Sequence, residues 1–453
     1  MAGVFDQKFC SRDMLQATSF HPIVWHASCA LAAMYQREAL AAAAKHSDIT
    51  GANKTLVKRQ SLRNFALEQY NESIAGVVSV LRSAELSILD LEVLLTTTLL
   101  FTAIASLQGD VPAAVLHVIN GQRILHRWKS KIASTQAIDV SNRECSSSGL
   151  LTPNCVEAVM GRLISQSSNI RQKPWSDDYY RGLETPVISE DPFHSPEDAY
   201  YEFEPLCKAY FELGENNKFI TDPEEKQPPY PVRRAYLAAL TEWTLKFNAM
   251  RERKGIVDTP NYKEAILVLE ARQIGMEIEV QRDPAGQEST WDEFNPHFAR
   301  IVALGEQLRD SLCQDGGRVF SFSSSMMDVF VLTATRCREY GVRHRALELL
   351  RRQNAREGLC NSRLGHAIAV GWAEIEEGPG RAKQHADADS CASKKEEGEG
   401  CECECEAYTF ICNGHRVAAV AGDFRVDDVG TMTFWTKQAL DGGWSGEIRE
   451  IAW

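Results

Sequence analysis

Residues 93–109 read VLLTTTLLFTAIASLQG, a run without Asp, Glu, Lys or Arg. Thr96, Thr97, Thr98, Thr102, Ser106 and Gln108 interrupt it, so it falls short of the ~20 predominantly apolar residues that a membrane span needs. The stretch reads as a helix buried in a protein core. Residues 14–36, MLQATSFHPIVWHASCALAAMYQ, also lack those charges but contain Gln16, Thr18, Ser19, His21, Pro22, His26 and Ser28. They read the same way. Two such helices require a sizeable body around them.

Helical periodicity continues outward from both. His21-Pro22 opens a segment with Val24, Cys29, Leu31, Ala32 and Met34 at three- and four-residue spacing; a proline suits the first helical turn, where its missing N–H costs nothing. From Leu56 to Leu81, one apolar stripe is expected through Leu62, Ala66, Tyr70, Ile74, Val77, Val78 and Leu81. Gly109-Asp110 breaks the chain before a helix marked by Val115, Val118, Ile119 and Leu125. Short breaks between long amphipathic helices imply antiparallel hairpins stacked on one another. A polar loop is expected over 131–153, a helix over 154–166 and an irregular connection over 172–198. Further helices are expected over 199–213, 232–250, 262–279, 291–312, 325–338, 342–352 and 359–377. No fixed-period repeat marks a solenoid.

Composition agrees with a folded body: of 453 residues 44% are hydrophobic and 25% charged, so global disorder is excluded. The net charge of −13 argues against a phosphate-binding coat. Thirteen cysteines without a CxxC pair do not form the dense framework of a small secreted domain, and the first twelve residues lack an apolar leader core; a reducing compartment is expected.

The fold class read from the sequence is mainly α, a large bundle of stacked helical hairpins with a small C-terminal β-meander. The organisation expected is an N-terminal tail over 1–17, a helical body over 18–377, an acidic low-complexity linker over 378–406 and a β-rich segment over 407–453. In that segment strands are expected at 408–412, 416–421, 430–436 and 446–453, with turns at Asn413-Gly414 and Asp441-Gly442-Gly443.

Candidate chemistry is sparse. Cys401, Cys403 and Cys405 alternate with acids, and Cys412 and His415 follow; thiolates and imidazole are zinc ligands, but the acidic setting reads as a solvated linker, and no metal is assigned. His26 and Cys29 share a helix face and are assigned to packing. Glu374, Glu376 and Glu377 read as a charged helix end, and Arg343, Arg345, Arg351, Arg352 and Arg356 as a solvated face with a local positive field. Trp25, Trp243, Trp291 and Trp372 are expected as core anchors. Gly-x-Ser-x-Gly, a Walker loop, a dinucleotide fingerprint and HExxH are absent, so no catalytic or cofactor-binding residue is assigned and an enzyme is not expected.

Several segments in order resemble the regulatory region of fungal binuclear zinc-cluster transcription factors. They are His21-Pro22-Ile23-Val24-Trp25-His26 with Ala30 to Tyr35, and Ala66-Leu67-Glu68-Gln69-Tyr70-Asn71-Glu72-Ser73-Ile74. Leu94 to Phe101 with Gly109-Asp110 and His117 to Leu125 follow, then Val329 to Arg338 and Arg343 to Leu350. Arg356-Glu357-Gly358-Leu359-Cys360-Asn361-Ser362 leads to Ile375-Glu376-Glu377, with Cys360 where a Trp is commoner, and the tail Arg449 to Trp453 also fits. The resemblance implies a helical regulatory domain in the nucleus that contacts other regulators or a second copy, with a small-molecule effector as a further option. The family's six-cysteine DNA reader has no counterpart, because Cys10 is the one cysteine before Cys29. No direct, specific DNA contact is expected from this chain, no DNA-binding residue is carried over, and no membrane association is expected. The alternative from the residues is a cytoplasmic helical scaffold or small-molecule-binding module.

Overall fold

The structure, a computed structural model, describes residues 3–44, 49–139, 152–171, 187–217, 230–253, 260–282, 287–308, 320–323, 325–353, 355–386, 405, 410–424 and 429–453. Its helices are α1 (Met14–Phe20), α2 (Pro22–Ala44), α3 (Ile49–Leu81), α4 (Ile88–Leu107), α5 (Val111–Asp139), α6 (Pro153–Arg171) and α7 (Pro196–Asn217). They continue with α8 (Tyr230–Arg251), α9 (Pro260–Gln281), α10 (Asn295–Gln307), α11 (Met327–Arg336), α12 (Tyr340–Arg352), α13 (Ser362–Ala386) and the short α14 (Lys437–Asp441). The protein is mainly α, and neighbours in sequence pair as hairpins: α2 with α3, α4 with α5, α6 with α7, and α11 with α12.

Local chemistry explains the best-defined hairpin. Ser87 caps α4 in a reciprocal box, accepting from the Asp90 N–H at 3.0 Å while its own N–H donates to the Asp90 carboxylate at 2.8 Å. Thr96, Thr97, Thr98 and Thr102 turn their hydroxyls onto the carbonyls four residues back at 2.7–2.9 Å. A threonine-rich helix can therefore be buried without stranding a donor. By length and composition α4 could cross a membrane, yet most of it is enclosed by the protein. Gly109, at φ 73°, ends the hairpin's first arm, and Asp110 accepts the Ala113 N–H at 3.0 Å to start α5.

Two large apolar clusters make the core. One gathers α1, α2, α4, α5 and α6 around Leu31, Leu95, Leu99 and Trp128; the other joins α7 to α13 around Trp243, Phe247, Phe298 and Phe330. Between them lies a small sheet of β1 (Phe320–Ser321), β2 (Arg356–Glu357) and β3 (Cys360–Asn361), parallel then antiparallel, which the sequence reading lacked. Gly358 (φ 61°) makes its turn; the Gln166 side chain donates to the Glu357 carbonyl at 2.8 Å and accepts the Leu359 N–H at 2.9 Å. Ser106 on α4 donates to the Gly358 carbonyl at 2.6 Å. The segment 356–362 is thus a tie between helices far apart in sequence.

Several expectations change. Residues 3–17 are not a tail: Phe5 stacks on Tyr200 at 4.2 Å, Phe9 packs on Phe322, and the buried Asp6 accepts the Phe322 N–H at 2.7 Å. Helix α5 runs to Asp139, through the first part of the expected 131–153 loop; residues 140–151 lie outside the described ones. Of 172–198, residues 172–186 lie outside, 187–195 are irregular and α7 begins at Pro196. Helix α13 passes the expected boundary at 377 and ends at Ala386.

The C-terminal sheet is antiparallel, β4 (Val417–Phe424), β5 (Val429–Thr436), β6 (Glu447–Ala452). Neither expected turn links two paired strands directly. Asn413-Gly414 lies in a 3-10 turn before β4, and Asp441-Gly442-Gly443 follows α14, which separates β5 from β6. Of the strand expected at 408–412, residues 408–409 lie outside the described ones, and 410–412 form no strand. Trp372 of α13 meets Phe434 edge-on, and Val417, Met432 and Ile451 complete the apolar contact between sheet and body.

Candidate functional site

Burial of charge is concentrated where α13 meets the sheet. Ala369, Trp372, Ala373 and Glu376 recur at helical spacing on one buried face, so the carboxylate points inward. Glu376 Oε1 accepts from Arg338 Nη2 at 2.7 Å, from Trp372 Nε1 at 3.0 Å and from the Val417 N–H at 2.8 Å. Its Oε2 accepts from Arg338 Nε at 3.2 Å and from Arg343. Burial alone would raise this carboxyl, but the Arg338 and Arg343 guanidiniums outweigh it and hold it at about 2. Arg336 and Arg338 share the Glu288 carboxylate at 3.2 Å, and Arg336 lies between the Trp291 and Trp372 rings at 4.9 and 4.6 Å.

This corrects two sequence readings. Glu376 is not part of an open charged helix end, and Arg343 is not solvated; both are fully buried because each meets an opposite charge. Arg345 pairs with Glu306, and Arg351 and Arg352 with Glu348, so opposite charges offset that stretch's positive field. Arg356 turns inward to donate to the Ser106 carbonyl at 2.7 Å.

A cleft of about 270 Å³ opens between α12 and α13, lined by His344, Arg351, His366, Val370, Glu374 and Glu377 among others. His344 Nε2 lies 3.1 and 3.2 Å from the two Glu377 oxygens, and partial burial lowers the His366 pKa. The volume suits a small polar molecule, below the usual range for drug-sized ligands.

Cys405, Cys412 and His415 come together. Cys405 and Cys412 are buried, and His415 Nδ1 lies 3.4 Å from Cys405 Sγ and 3.1 Å from Cys412 Sγ. Cys405 is therefore not a solvated linker residue, in contrast to the sequence reading, and Cys412 and His415 sit at either end of a tight turn. Cys401 and Cys403 lie outside the described residues. His26 Nδ1 lies 2.8 Å from Gln69 Oε1, a contact of α2 with α3.

Helix α3 departs furthest from its expected pattern. Leu62, Ala66, Tyr70, Ser73 and Val77 face the body, whereas Leu56, Val57, Leu67, Ile74, Val78 and Leu81 are exposed. At about 100° per residue the expected single stripe is two, roughly 100° apart, and the body covers one. The exposed set is a heptad seam: Val57, Asn64, Asn71 and Val78 at one position, Gln60, Leu67, Ile74 and Leu81 at the other. The repeat is legible in the sequence once the two stripes are separated. Trp25 is also exposed, at 54%, because α2 buries Val24, Ala27, Leu31 and Met34 on another face; Trp243, Trp291 and Trp372 are buried as expected.

No protein-family model, curated protein or solved structure matches the chain.

Proposed function

We propose that the protein is a non-catalytic regulatory body of the transcription-factor class that its motifs resemble, and that it acts as a dimer joined along α3. The heptad seam from Val57 to Leu81 carries this reading, since eight consecutive seam positions are exposed on a helix whose other face is packed. A parallel pairing places Arg63 of one copy beside Glu68 of the other, the flanking charge pair that sets partner and orientation in two-stranded coils. Asn64 and Asn71 within the seam favour one register at some expense of stability. The α2–α3 hairpins of two copies would make a four-helix contact. Other regulators docking on the same seam are the competing occupants.

Sedimentation of the full chain tests this: the dimer is expected in the wild type, with loss in Leu67→Glu/Ile74→Glu. Arg63→Glu is expected to weaken it and Arg63→Glu/Glu68→Arg to restore it. A monomeric wild type would sink the dimer. Tethering the chain to a heterologous DNA-binding domain should change reporter transcription, and no change would favour the cytoplasmic scaffold. The cleft beside His344 and His366 supports that second reading in one form, a module for a small polar effector, recognised by ligand-dependent stabilisation without a transcriptional effect.

A further inference from the structure

We propose that Cys405, Cys412 and His415 bind a soft divalent metal ion, zinc foremost, and that the ion pins the loop preceding the C-terminal sheet to the helical body. The donor atoms of the three residues all lie within 4.8 Å of one another. Zinc–sulfur bonds of about 2.3 Å and zinc–nitrogen bonds of about 2.0 Å, at a tetrahedral angle, put sulfur and nitrogen about 3.5 Å apart. The two sulfur–nitrogen separations here, 3.4 and 3.1 Å, are already close to that value.

The chain builds this arrangement for stated reasons. Residues 413–415 form a single 3-10 turn, closed by the His415 N–H donating to the Cys412 carbonyl at 3.2 Å, and the turn brings Cys412 and His415 to one side. The Cys412 N–H donates to Cys405 Sγ at 3.2 Å, a bond that holds the sulfur in place beside the imidazole. Ile411 packs with the two cysteines and keeps the donors from bulk water. Thiols are weak hydrogen-bonding groups, so two of them gathered on one imidazole gain little without an ion. Cys207 and Cys337, by contrast, are buried in the apolar core, where burial pushes the Cys337 thiol up to about 11.

The site's place in the fold gives the ion a structural role. Arg416, next in the chain, buries its guanidinium and donates to both Asp292 oxygens at 2.8 and 2.6 Å and to the Glu288 carbonyl at 3.0 Å. Asn413 Oδ1 accepts the Ser289 N–H at 3.3 Å. The loop thus links the segment 288–294 to β4, and an ion held at its centre would lock both attachments. On binding, Cys405 and Cys412 each lose a proton to solvent as a sulfur–metal bond forms, and His415 Nδ1 donates its lone pair. Nothing is oxidised or reduced, and water or a further donor completes the coordination.

The test is titration of the full-length chain, stripped by chelator in reducing buffer, with Co²⁺ and then Zn²⁺. Expected are one equivalent of metal, thiolate-to-cobalt charge transfer with the visible bands of tetrahedral Co²⁺, and bleaching by zinc. Cys412→Ser and His415→Ala should each weaken binding more than about 100-fold, a larger loss than outer-shell changes cause. Cys337→Ser should bind normally. The wild-type spectrum needs no variant to fold, so absence of stoichiometric, thiolate-bound cobalt would overturn the assignment by itself. Binding kept in Cys412→Ser but lost in Cys401→Ser/Cys403→Ser would place the ion elsewhere and overturn it too. So would a Cys405–Cys412 disulfide that persists in reducing buffer.

Discussion

The α13–β4 junction and the outer face of α3 invert the usual placement of side chains in opposite directions. At the junction, charge is inside: Glu376 and Arg343 are both 0% exposed. On α3, apolar residues are outside, with Val57 73% and Leu81 55% exposed. The difference teaches that burial follows partners rather than residue type. Glu376 is buried because Arg338 in the link between α11 and α12, Arg343 on α12, Trp372 on α13 and the first N–H of β4 occupy its two oxygens. Ile74 and Leu67 are exposed because the body's contact with α3 is already filled by Ala66, Tyr70 and Ser73, which lie on another side of the same helix.

The largest effect is expected at the junction. Glu376→Gln leaves Arg338 and Arg343 less compensated in a dry site, and about 3–5 kcal/mol of stability should be lost in urea unfolding. The native carboxyl is depressed to about 2, so its contribution is full above the ordinary glutamate range near 4.3 and is lost as pH falls from there toward 2. The wild type should therefore weaken over that window while Glu376→Gln shows a flatter profile. A variant as stable as the wild type, with the same acid limb, would mean that the buried ion cluster is a passenger.

Next in size is an interior residue of ordinary character, which sets the scale for both regions. Leu99→Ala in α4 opens a cavity at a fully buried site and should cost about 2–5 kcal/mol. Leu67→Ala, one helix earlier, should change monomer stability by less than about 0.5 kcal/mol, since its side chain already faces solvent. Equal costs at the two positions would show that α3 is covered in solution and would end the contrast.

What the sequence disclosed follows the same division. Helix α4 was legible because it is apolar on every side, so no choice of face was needed. The hairpin breaks at Gly109-Asp110 and His21-Pro22 were legible from backbone chemistry that acts locally. The two stripes of α3 merged into one, since apolar spacing states that a residue can pack and not against what. Glu376 and Arg343 looked solvated because their partners, Arg338, Trp372 and the Val417 N–H, are brought in by the fold. Cys412 and His415 carried a readable three-residue spacing, but that Cys405 joins them shows only in the folded chain. At 356–362 the need for glycine is set by the fold: Gly358 takes a positive φ in the turn, and an added Cβ there would collide with the Gln166 side chain.

The smallest effect on stability should accompany the clearest change in assembly. Ile74→Glu adds a charge at a position that already reaches solvent, outside the buried cluster, so urea unfolding of the dilute monomer should move by less than about 0.5 kcal/mol. In a parallel pair the same residue meets its own copy across the seam, and two glutamates there would face each other in an apolar contact. Desolvation and like-charge repulsion act together, and sedimentation should show a monomer at concentrations where the wild type pairs. The junction variant Glu376→Gln should do the reverse, costing stability while leaving the mass of the folded species unchanged. If Ile74→Glu unfolded the chain instead, α3 would belong to the interior, and its apolar seam would be core with an intramolecular partner rather than a surface for a second molecule.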